Sequence, residues 1–345
     1  MFESIQIAAT TGGWVWVTFV TAAVLIVISA MQLAKYGDVI AARTKLGGMF
    51  IGVLLLAGAT SLPELLTSIN SIRMGSPELS AGNFFGSSAF NMFILAILDV
   101  LGRDQRVLQT SQGKHLVSGG FAIFISTLVL FCLVANPTIS RMNLNIGWFG
   151  IDSVLIMGFY VFAIYMIQQS EQDNVSTEMT EEELAEIPSL KIGLIGFLAA
   201  AVALGIVTPF MVRAAERISD ITGLGTSFVG SSLVALVTSL PEMVTSISAI
   251  SIGAADMALG NLFGSNMFNM LGIGIADLFY TKGRFLSTVD SSFVVVGMLG
   301  VLMTSFGLLG NIVRFKRVGK VIDVDSIIMT LLYFSGMYLL FVMSR

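Results

Sequence analysis

The five residues Thr-Ser-Leu-Pro-Glu occur at positions 60–64 and again at positions 238–242. Sliding the chain against itself by 178 positions aligns residues 55–99 with residues 233–277 without a gap, and 22 of the 45 aligned positions are identical. Unrelated segments share far fewer residues than this. A chain that contains one long segment twice is expected to fold into two similar halves, so this duplication constrains the architecture more than any other feature.

Both copies lie within long apolar stretches. Hydrophobic residues make up 55% of the 345 residues, charged residues make up 12%, and the mean hydropathy is +0.88, which is typical of a multi-pass membrane protein. A helix needs about 20 mostly apolar residues to cross a bilayer, so we predict an all-α integral membrane protein with about ten transmembrane helices. The predicted spans are 14–33, 47–72, 78–100, 117–136, 147–168, 191–212, 225–252, 256–280, 291–313 and 325–343.

The two copies fall in equivalent pairs of spans, two and three in one case and seven and eight in the other. Five crossings separate equivalent points, and an odd number of crossings inverts the second copy, whereas a count wrong by one would make the copies parallel. We predict two inverted five-helix halves, residues 1–169 and 191–345, joined by an acidic cytoplasmic linker at 170–190. Broken helices from both halves should meet at the centre, where transporters of this plan bind their substrates.

Each copy carries a glutamate where a charge is costly. Glu64 and Glu242 lie in predicted spans that contain no Lys or Arg. A carboxylate at the centre of a bilayer must therefore be protonated or be neutralised by a bound cation. Because two such glutamates recur at one common offset, we assign them a functional rather than a structural role.

A proline precedes each glutamate. Pro63 and Pro241 lack a backbone N–H and clash with the preceding helical turn. We therefore expect the carbonyl groups near Ala57 and Ala235 to lack helical partners. Free carbonyl oxygens at the centre of a membrane protein are candidate cation ligands.

Other oxygen-bearing side chains recur around the glutamates. In each copy a threonine lies one helical turn before the glutamate, and a serine lies one turn before an asparagine, so each pair projects from one helix face. These residues are Thr60, Ser87 and Asn91 in the first copy and Thr238, Ser265 and Asn269 in the second. A set of carboxylate, hydroxyl, amide and carbonyl oxygens without thiolate or imidazole favours a hard cation such as Ca²⁺ over zinc or copper.

The remaining repeated residues are interpreted as mainly structural. Four glycines should allow close helix approach. They are Gly82, Gly86, Gly260 and Gly264. Asn83 and Asn261 could face either the site or a neighbouring helix. Asp99 and Asp277 end their helices near the membrane interface, where we expect them to be solvated or to cap.

The duplicated segments resemble the paired alpha repeats of the Ca²⁺/cation antiporter superfamily, most closely those of the sodium/calcium exchangers. The resemblance implies a ten-helix inverted-repeat fold and alternating access, with Ca²⁺ and Na⁺ competing for sites at the centre. It also implies that Glu64 and Glu242 bridge the Ca²⁺ ion. The other ligands implied in this way are the side chains of Thr60, Ser61, Ser87, Thr238, Ser239, Ser265, Asn91 and Asn269 and the backbone carbonyls of Ala57 and Ala235.

The chain departs from the exchanger pattern at the two asparagines. Exchangers of this type often carry Asp at one of these positions, whereas Asn91 and Asn269 are both amides. The two glutamates alone supply a formal charge of −2, which neutralises one Ca²⁺ or two Na⁺ ions. Coupling to H⁺ therefore stays open as an alternative. The Thr-Ser pair before each glutamate favours Na⁺, because the proton/calcium branch of the family usually shows Gly-Asn there.

Other function classes receive less support. An intramembrane hydrolase needs an aspartate pair or a serine with a nearby base, and the single histidine, His115, lies outside the predicted spans, so we predict no enzyme activity. A passive channel is kept as an alternative, because uphill transport cannot be read from a sequence. We expect no cofactor, no nucleic-acid partner and no obligatory protein partner. The expected partners are the lipid bilayer and the transported ions.

The distribution of basic residues predicts the orientation. Eleven of the 18 Lys and Arg residues fall on the side of the linker, which places both termini outside by the positive-inside rule. The first span is too long for a signal-peptide core and is expected to be retained. The lack of targeting signals and of a large central loop suggests the plasma (inner) membrane of a prokaryotic cell.

Overall fold

The computed structural model describes residues 12–44, 57–101, 115–142, 145–171, 187–313, 317–318 and 322–344. The α-helices in chain order are α1 (Gly12–Thr44), α2 (Leu62–Arg73), α3 (Pro77–Leu101), α4 (Leu116–Val134), α5 (Asn136–Met142), α6 (Ile151–Glu171), α7 (Leu190–Thr222), α8 (Thr226–Val229), α9 (Ala235–Thr238), α10 (Leu240–Ser251), α11 (Ala255–Phe279), α12 (Phe293–Val313) and α13 (Val324–Met343). A π-helical turn, Gly230–Val234, joins α8 to α9, and a 3₁₀ turn, Phe285–Ser287, precedes α12. Two short antiparallel hairpins pair β1 (Asn145–Ile146) with β2 (Phe149–Gly150) and β3 (Arg317–Val318) with β4 (Ile322–Asp323).

The predicted spans have helices at their places. Within the described ranges, eight helices are long and apolar enough to cross a membrane, and the count is nine if the bent pair Thr226–Thr238 and Leu240–Ser251 is one broken span. The remaining predicted span, 47–72, is described from residue 57 onward, as a helical turn followed by α2. Most of the predicted acidic linker, residues 172–186, lies outside the described residues. The predicted all-α membrane fold is confirmed.

The predicted ends of the first and sixth spans were wrong. Helices α1 and α7 are each 33 residues long, whereas the sequence predicted spans of ordinary length at 14–33 and 191–212. At 1.5 Å per residue such a helix reaches about 50 Å, well beyond a hydrocarbon core of about 30 Å. Charged residues such as Lys35 and Arg213 suggest loops in the sequence, but in the structure they mark where an unbroken helix leaves the apolar region.

The two long helices pack against each other in antiparallel orientation. Their contact is the most extensive between any two helices in the described part of the chain. Arg43, at the end of α1, donates from Nε to the carbonyl of Pro188, just before α7, at 3.0 Å. Because α1 and α7 open the two halves, their antiparallel arrangement agrees with inversion of one half relative to the other.

The buried apolar side chains form two separate clusters. The larger cluster joins α3, α4, α6, α11, α12 and α13 around residues such as Phe84, Phe263 and Phe293. The smaller cluster lies between α1, α7 and the broken helices, and includes Phe19, Leu204 and Val234. The long pair therefore has its own apolar interface with the rest of the protein.

A buried ion pair ties α6 to the segment after α11. Arg284 Nη2 lies 2.6 Å from Oδ2 of Asp152, and the two side chains are only 3% and 2% exposed. Beside this pair, Asp277 accepts hydrogen bonds from the backbone N–H groups of Gly150 at 2.8 Å and Phe285 at 2.5 Å. These contacts fix the end of α11, in the second half, against the start of α6, in the first.

The equivalent contact joins α3 to α13. Ser326, at the start of α13, donates to Oδ2 of Asp99 at 2.8 Å. Asp99 and Asp277 are both buried, so of the two expected roles solvation was wrong. Asp277 does cap, because it accepts from backbone N–H groups at the starts of α6 and of the 3₁₀ turn. Each is covered by the start of the last helix of the other half, an arrangement that their position near a helix end does not reveal.

Candidate ion-binding site

Each Thr-Ser-Leu-Pro-Glu segment breaks its helix at the serine. The backbone leaves α geometry at Ser61 (φ −88°, ψ 4°) and at Ser239 (φ −91°, ψ 4°), and a new helix starts at the next residue. Pro63 and Pro241 occupy the first turn of the new helices, where a missing N–H is tolerated. The glutamates follow in the same turn, where the helix dipole favours a negative charge.

The carbonyls of Ala57 and Ala235 do have helical partners, so this part of the prediction was wrong. The N–H of Ser61 donates to Ala57 O at 3.0 Å, and the N–H of Ser239 donates to Ala235 O at 3.0 Å. The reason is one of register, because Pro63 removes the donor for the carbonyl four residues before it, which is residue 59 rather than 57.

The two glutamates are held reciprocally. Ser61 Oγ donates to Oε1 of Glu242 at 3.0 Å, and Ser239 Oγ donates to Oε1 of Glu64 at 3.0 Å. Ser265 Oγ also reaches Oε1 of Glu242 at 3.4 Å. Each carboxylate is therefore bound by the helix break of the opposite half, and the two breaks form one cluster.

The repeated threonines connect this cluster to the helices that follow each break. Thr60 Oγ1 donates to Oδ1 of Asn261 at 3.3 Å, and Thr238 Oγ1 donates to Oδ1 of Asn83 at 2.9 Å. Ser87 Oγ lies 3.3 Å from Thr238 Oγ1. Asn83 and Asn261 thus contact the threonines of the cluster, which answers the question that the sequence left open.

Four buried oxygens of the predicted site residues accept no hydrogen bond from the described part of the chain. They are Oε2 of Glu64, Oε2 of Glu242, Oδ1 of Asn91 and Oδ1 of Asn269. All twelve predicted site residues are at most 1% exposed, so bulk water does not reach these atoms. Buried acceptors without a donor are costly, and a cation compensates a set of oxygens of this kind.

The composition of the cluster limits how a cation would be bound. Among the described residues, no three His, Cys, Asp or Glu side chains lie together as a group that could hold a metal ion. A cation at this cluster would therefore rely on hydroxyl and amide oxygens beside the two carboxylates. Such a mixed oxygen shell fits Ca²⁺ or Na⁺ better than a transition metal.

The repeated glycines allow the close helix approach that was predicted for them. A Cβ atom at Gly86 would lie 2.4 Å from the backbone oxygen of Ser231, and one at Gly82 would lie 2.9 Å from the Ser231 nitrogen. A Cβ atom at Gly264 would lie 2.9 Å from Cβ of Ala57. The prediction for Gly260 stays a prediction.

Three further residues beside the cluster were missed by the sequence analysis. Ser88 and Asn266 occupy equivalent positions of the two copies, and they contact Asn269 and Asn91, respectively. Thr304, on α12, contacts Asn266. Positions 88 and 266 differ in residue type, and position 304 lies outside the duplicated segment, so matching identical residues could not find them.

A sequence profile of the family described as "Sodium/calcium exchanger protein" matches residues 14–168 and 192–342 of the chain. The chain belongs to this family. Among its curated relatives, "Putative antiporter CaxA" of Alkalimonas amylolytica is 26% identical over 338 residues, covering 92% of this chain and 96% of the relative. "Sodium/calcium exchanger MaX1" of Methanosarcina acetivorans is 25% identical, covering 74% and 81%. "Ca(2+)/H(+) antiporter ChaA" of Bacillus subtilis is 25% identical, covering 70% of each.

Solved structures of exchangers share the fold of this family member. A structure of the sodium-calcium exchanger NCX_Mj matches with a TM-score of 0.58 at 21% identity, covering 93% of this chain and 97% of that one. The "Crystal Structure of H+/Ca2+ Exchanger CAX" matches with a TM-score of 0.65 at 12% identity, covering 99% and 94%. The protein is therefore an integral membrane protein with two inverted five-helix repeats and broken helices at its centre.

Proposed function

We propose that this protein is a secondary active antiporter that exchanges Ca²⁺ for Na⁺ across the membrane by alternating access. The observation that carries the proposal is a set of four buried oxygens, of Glu64, Glu242, Asn91 and Asn269, to which no group of the described residues donates. Membership of the sodium/calcium exchanger family and the relative named MaX1 support the choice of ions.

The proposed ligands are the twelve residues that the sequence singled out. Glu64 and Glu242 would supply the charge, and the neighbouring hydroxyl, amide and carbonyl oxygens would complete the shell. These are Thr60, Ser61, Ser87, Thr238, Ser239, Ser265, Asn91, Asn269, Ala57 and Ala235. Their burial, and the reciprocal bonds of Ser61 and Ser239 to the carboxylates, support this assignment.

Alternating access requires one part of the protein to move against another. We assign the movement to the pair α1 and α7, because these helices pack chiefly on each other and meet the broken helices mainly through an apolar cluster. Two side-chain hydrogen bonds also cross this boundary, from Asn70 Nδ2 to Thr208 Oγ1 at 2.8 Å and from Ser76 to Glu216. An apolar interface resists sliding less than one held by many directional hydrogen bonds. The twelve buried site residues correspond to a state that is closed to both sides.

Exchange of Ca²⁺ for H⁺ on the same scaffold is the second candidate. Two carboxylates are the only formal charges among the twelve residues, and each could carry a proton in place of a cation. The relative named ChaA and the structure named CAX belong to proteins described as proton-coupled. The Thr-Ser pair before each glutamate still favours Na⁺.

The membrane placement follows from the charge distribution. We place both termini outside and the linker at 170–190 in the cytoplasm, in the plasma membrane, with 1–169 and 191–345 as the two halves. The contact between Arg43 and Pro188 supports a common side for the end of α1 and the start of α7. No cofactor and no protein partner are proposed.

The experiment is Ca²⁺ uptake by the purified protein in liposomes. ⁴⁵Ca²⁺ accumulation is measured with an outward Na⁺ gradient, with a pH gradient, and with no gradient. We expect accumulation with the Na⁺ gradient. Accumulation with the pH gradient alone would establish the second candidate, and no accumulation in either gradient would contradict Ca²⁺ antiport.

A further inference from the structure

The two asparagines of the site can act as cation ligands only in one orientation. A carboxamide has an oxygen that attracts a cation and an NH₂ group that repels it, and the two ends have nearly the same shape. The orientation must therefore be set by the hydrogen bonds of the neighbouring groups. Among the described residues, no group donates to Oδ1 of Asn91 or Asn269, while Nδ2 of each is bound to the protein.

A chain of three hydrogen bonds fixes Asn91. Thr304 Oγ1 donates its only proton to the carbonyl of Gly300, one turn earlier in α12, at 2.7 Å. Its oxygen then accepts from Asn266 Nδ2 at 3.5 Å, which leaves Asn266 Oδ1 to accept from Asn91 Nδ2 at 3.1 Å. The chain ends on a backbone carbonyl, which cannot donate, so its direction is fixed while Thr304 keeps its bond to Gly300. Reversal at Asn266 would place two oxygens against each other.

A shorter chain fixes Asn269. Ser88 Oγ donates to the carbonyl of Phe84, one turn earlier in α3, at 3.0 Å. Its oxygen therefore accepts from Asn269 Nδ2, at 3.5 Å. This chain also ends on a backbone carbonyl, so Asn269 Oδ1 is the free end.

We propose that Asn266, Thr304 and Ser88 are positioning residues that turn the amide oxygens of Asn91 and Asn269 toward the transported cation. The inference rests on the proposed function, because it assigns these oxygens to the cation site of that antiporter. All three side chains are buried, so water does not replace the bonds that they make. Both hydrogen-bond chains cross between the halves, since the orientation of Asn91 depends on a residue of α11 and that of Asn269 on a residue of α3.

The two hydrogen-bond chains differ in how they are anchored, and this difference makes the proposal specific. The residue beside Asn91 is an asparagine that needs a third residue, Thr304, to fix its own orientation. The residue beside Asn269 is a serine that uses its own helix backbone. Removal of the Thr304 hydroxyl should therefore release Asn91 and leave Asn269 unchanged.

The test uses Thr304→Val, which keeps the shape of the side chain and removes the hydroxyl. Asn266 and Asn91 can then both reverse, and the NH₂ group of Asn91 can face the cation. Loss of an outer-shell partner of this kind typically weakens metal binding about 10- to 100-fold. We expect the KM for Ca²⁺ in liposomes to rise at least about tenfold, with Vmax nearly unchanged. Ser88→Ala should act similarly through Asn269.

Two variants serve as controls. Thr304→Ser keeps a hydroxyl that can donate to Gly300, so it should restore the KM to nearly the wild-type value. Thr127→Val removes a threonine hydroxyl that donates to the Ile123 carbonyl at 2.7 Å but is exposed on α4, away from the cluster. It should leave the KM unchanged. A purely structural role of Thr304 would lower the melting temperature without this pattern.

A second measurement separates this proposal from the proposed function. The rise in melting temperature caused by added Ca²⁺ or Na⁺ is recorded for purified wild type and Thr304→Val, and we expect a smaller rise for the variant. If the wild type takes up no Ca²⁺ in either gradient, antiport is contradicted, and the melting shifts still judge the positioning residues. Equal melting shifts, or a KM for Thr304→Val within about twofold of wild type, would overturn the positioning proposal alone.

Discussion

Ser61 donates a hydrogen bond to Glu242 across the boundary between the two halves, with 3.0 Å between Oγ and Oε1. Ser239 makes the equivalent bond to Glu64 at the same distance. The serine in each case is the residue at which the helix leaves α geometry. A change in either helix break would therefore shift the carboxylate of the other half, which links the geometry of the two breaks.

The first prediction concerns the charge of the site. Glu64→Gln and Glu242→Gln each remove half of the formal charge that offsets a divalent cation, while keeping the shape of the side chain. We expect either variant to lose Ca²⁺ uptake at least about 100-fold, since an uncompensated buried charge costs about 3–5 kcal/mol. The melting temperature without Ca²⁺ should not fall, because a neutral amide is cheaper to bury than a charge.

The control for this prediction is Glu78→Gln. Glu78 accepts a hydrogen bond from Thr226 at 2.7 Å at the start of α3, outside the cluster of twelve residues. Ca²⁺ uptake by the Glu78→Gln variant should stay within about twofold of wild type. Uptake by Glu64→Gln equal to that of Glu78→Gln would show that the buried glutamate is not needed.

The second prediction concerns the serines. Ser61→Ala and Ser239→Ala each remove one donor to a carboxylate, and hydrogen bonds to charged groups contribute about 1.5–3 kcal/mol. We expect the KM for Ca²⁺ to rise about tenfold in both variants, and somewhat more in Ser239→Ala, because Glu242 keeps its contact with Ser265 when Ser61 is replaced. A large effect in one half and none in the other would contradict reciprocal binding.

The sequence predicted the parts of this protein that depend on repetition and on hydropathy. The duplicated glutamates, hydroxyls and glycines could be found because identity at one offset is visible in a single chain. The ends of α1 and α7 were wrong because a charged residue does not stop a helix at the membrane surface. The contacts of Ser88, Asn266 and Thr304 were missed because they join residues that differ between the copies or lie outside them.

The third prediction concerns the close approach of α3 to the π-helical turn that joins α8 to α9. In Gly86→Ala the added Cβ would lie 2.4 Å from the backbone oxygen of Ser231, so the helices must separate. Overpacking of this kind costs about 1–3 kcal/mol, so the melting temperature should fall clearly. Gly120→Ala is the matched control, because no atom lies within 4 Å of its added Cβ. A similar melting temperature for both variants would contradict tight packing at Gly86.

The fourth prediction concerns the buried ion pair between Arg284 and Asp152. Arg284→Met leaves a buried carboxylate without its partner, which typically costs about 3–5 kcal/mol. Arg217→Met is the control, because the pair of Arg217 with Asp220 is 56% and 65% exposed and should contribute at most about 1 kcal/mol. Thermal unfolding in detergent should show a large fall in melting temperature for Arg284→Met and little change for Arg217→Met. Equal falls would show that the buried pair does not fix α6 to the segment after α11.

The fifth prediction concerns the movement of α1 and α7. A Cβ atom at Gly37, on α1, would lie 3.6 Å from Cβ of Ala59, beside the first helix break. Disulfides join Cβ atoms about 3.5–4.5 Å apart, so Gly37→Cys with Ala59→Cys should cross-link in a Cys132→Ala background. If α1 and α7 must slide against the broken helices, oxidation should abolish Ca²⁺ uptake, and a reducing agent should restore it.

A second cross-link, placed within the long pair, tests whether it moves as one body. Cβ of Val39 lies 3.4 Å from a Cβ atom added at Gly193, so Val39→Cys with Gly193→Cys joins α1 to α7 at a similar separation. This cross-link leaves the apolar interface with the broken helices free, and uptake should persist after oxidation. Loss of uptake here would mean that α1 and α7 move relative to each other. Persistent uptake with the link from residue 37 to residue 59 would mean that α1 stays fixed to the first helix break.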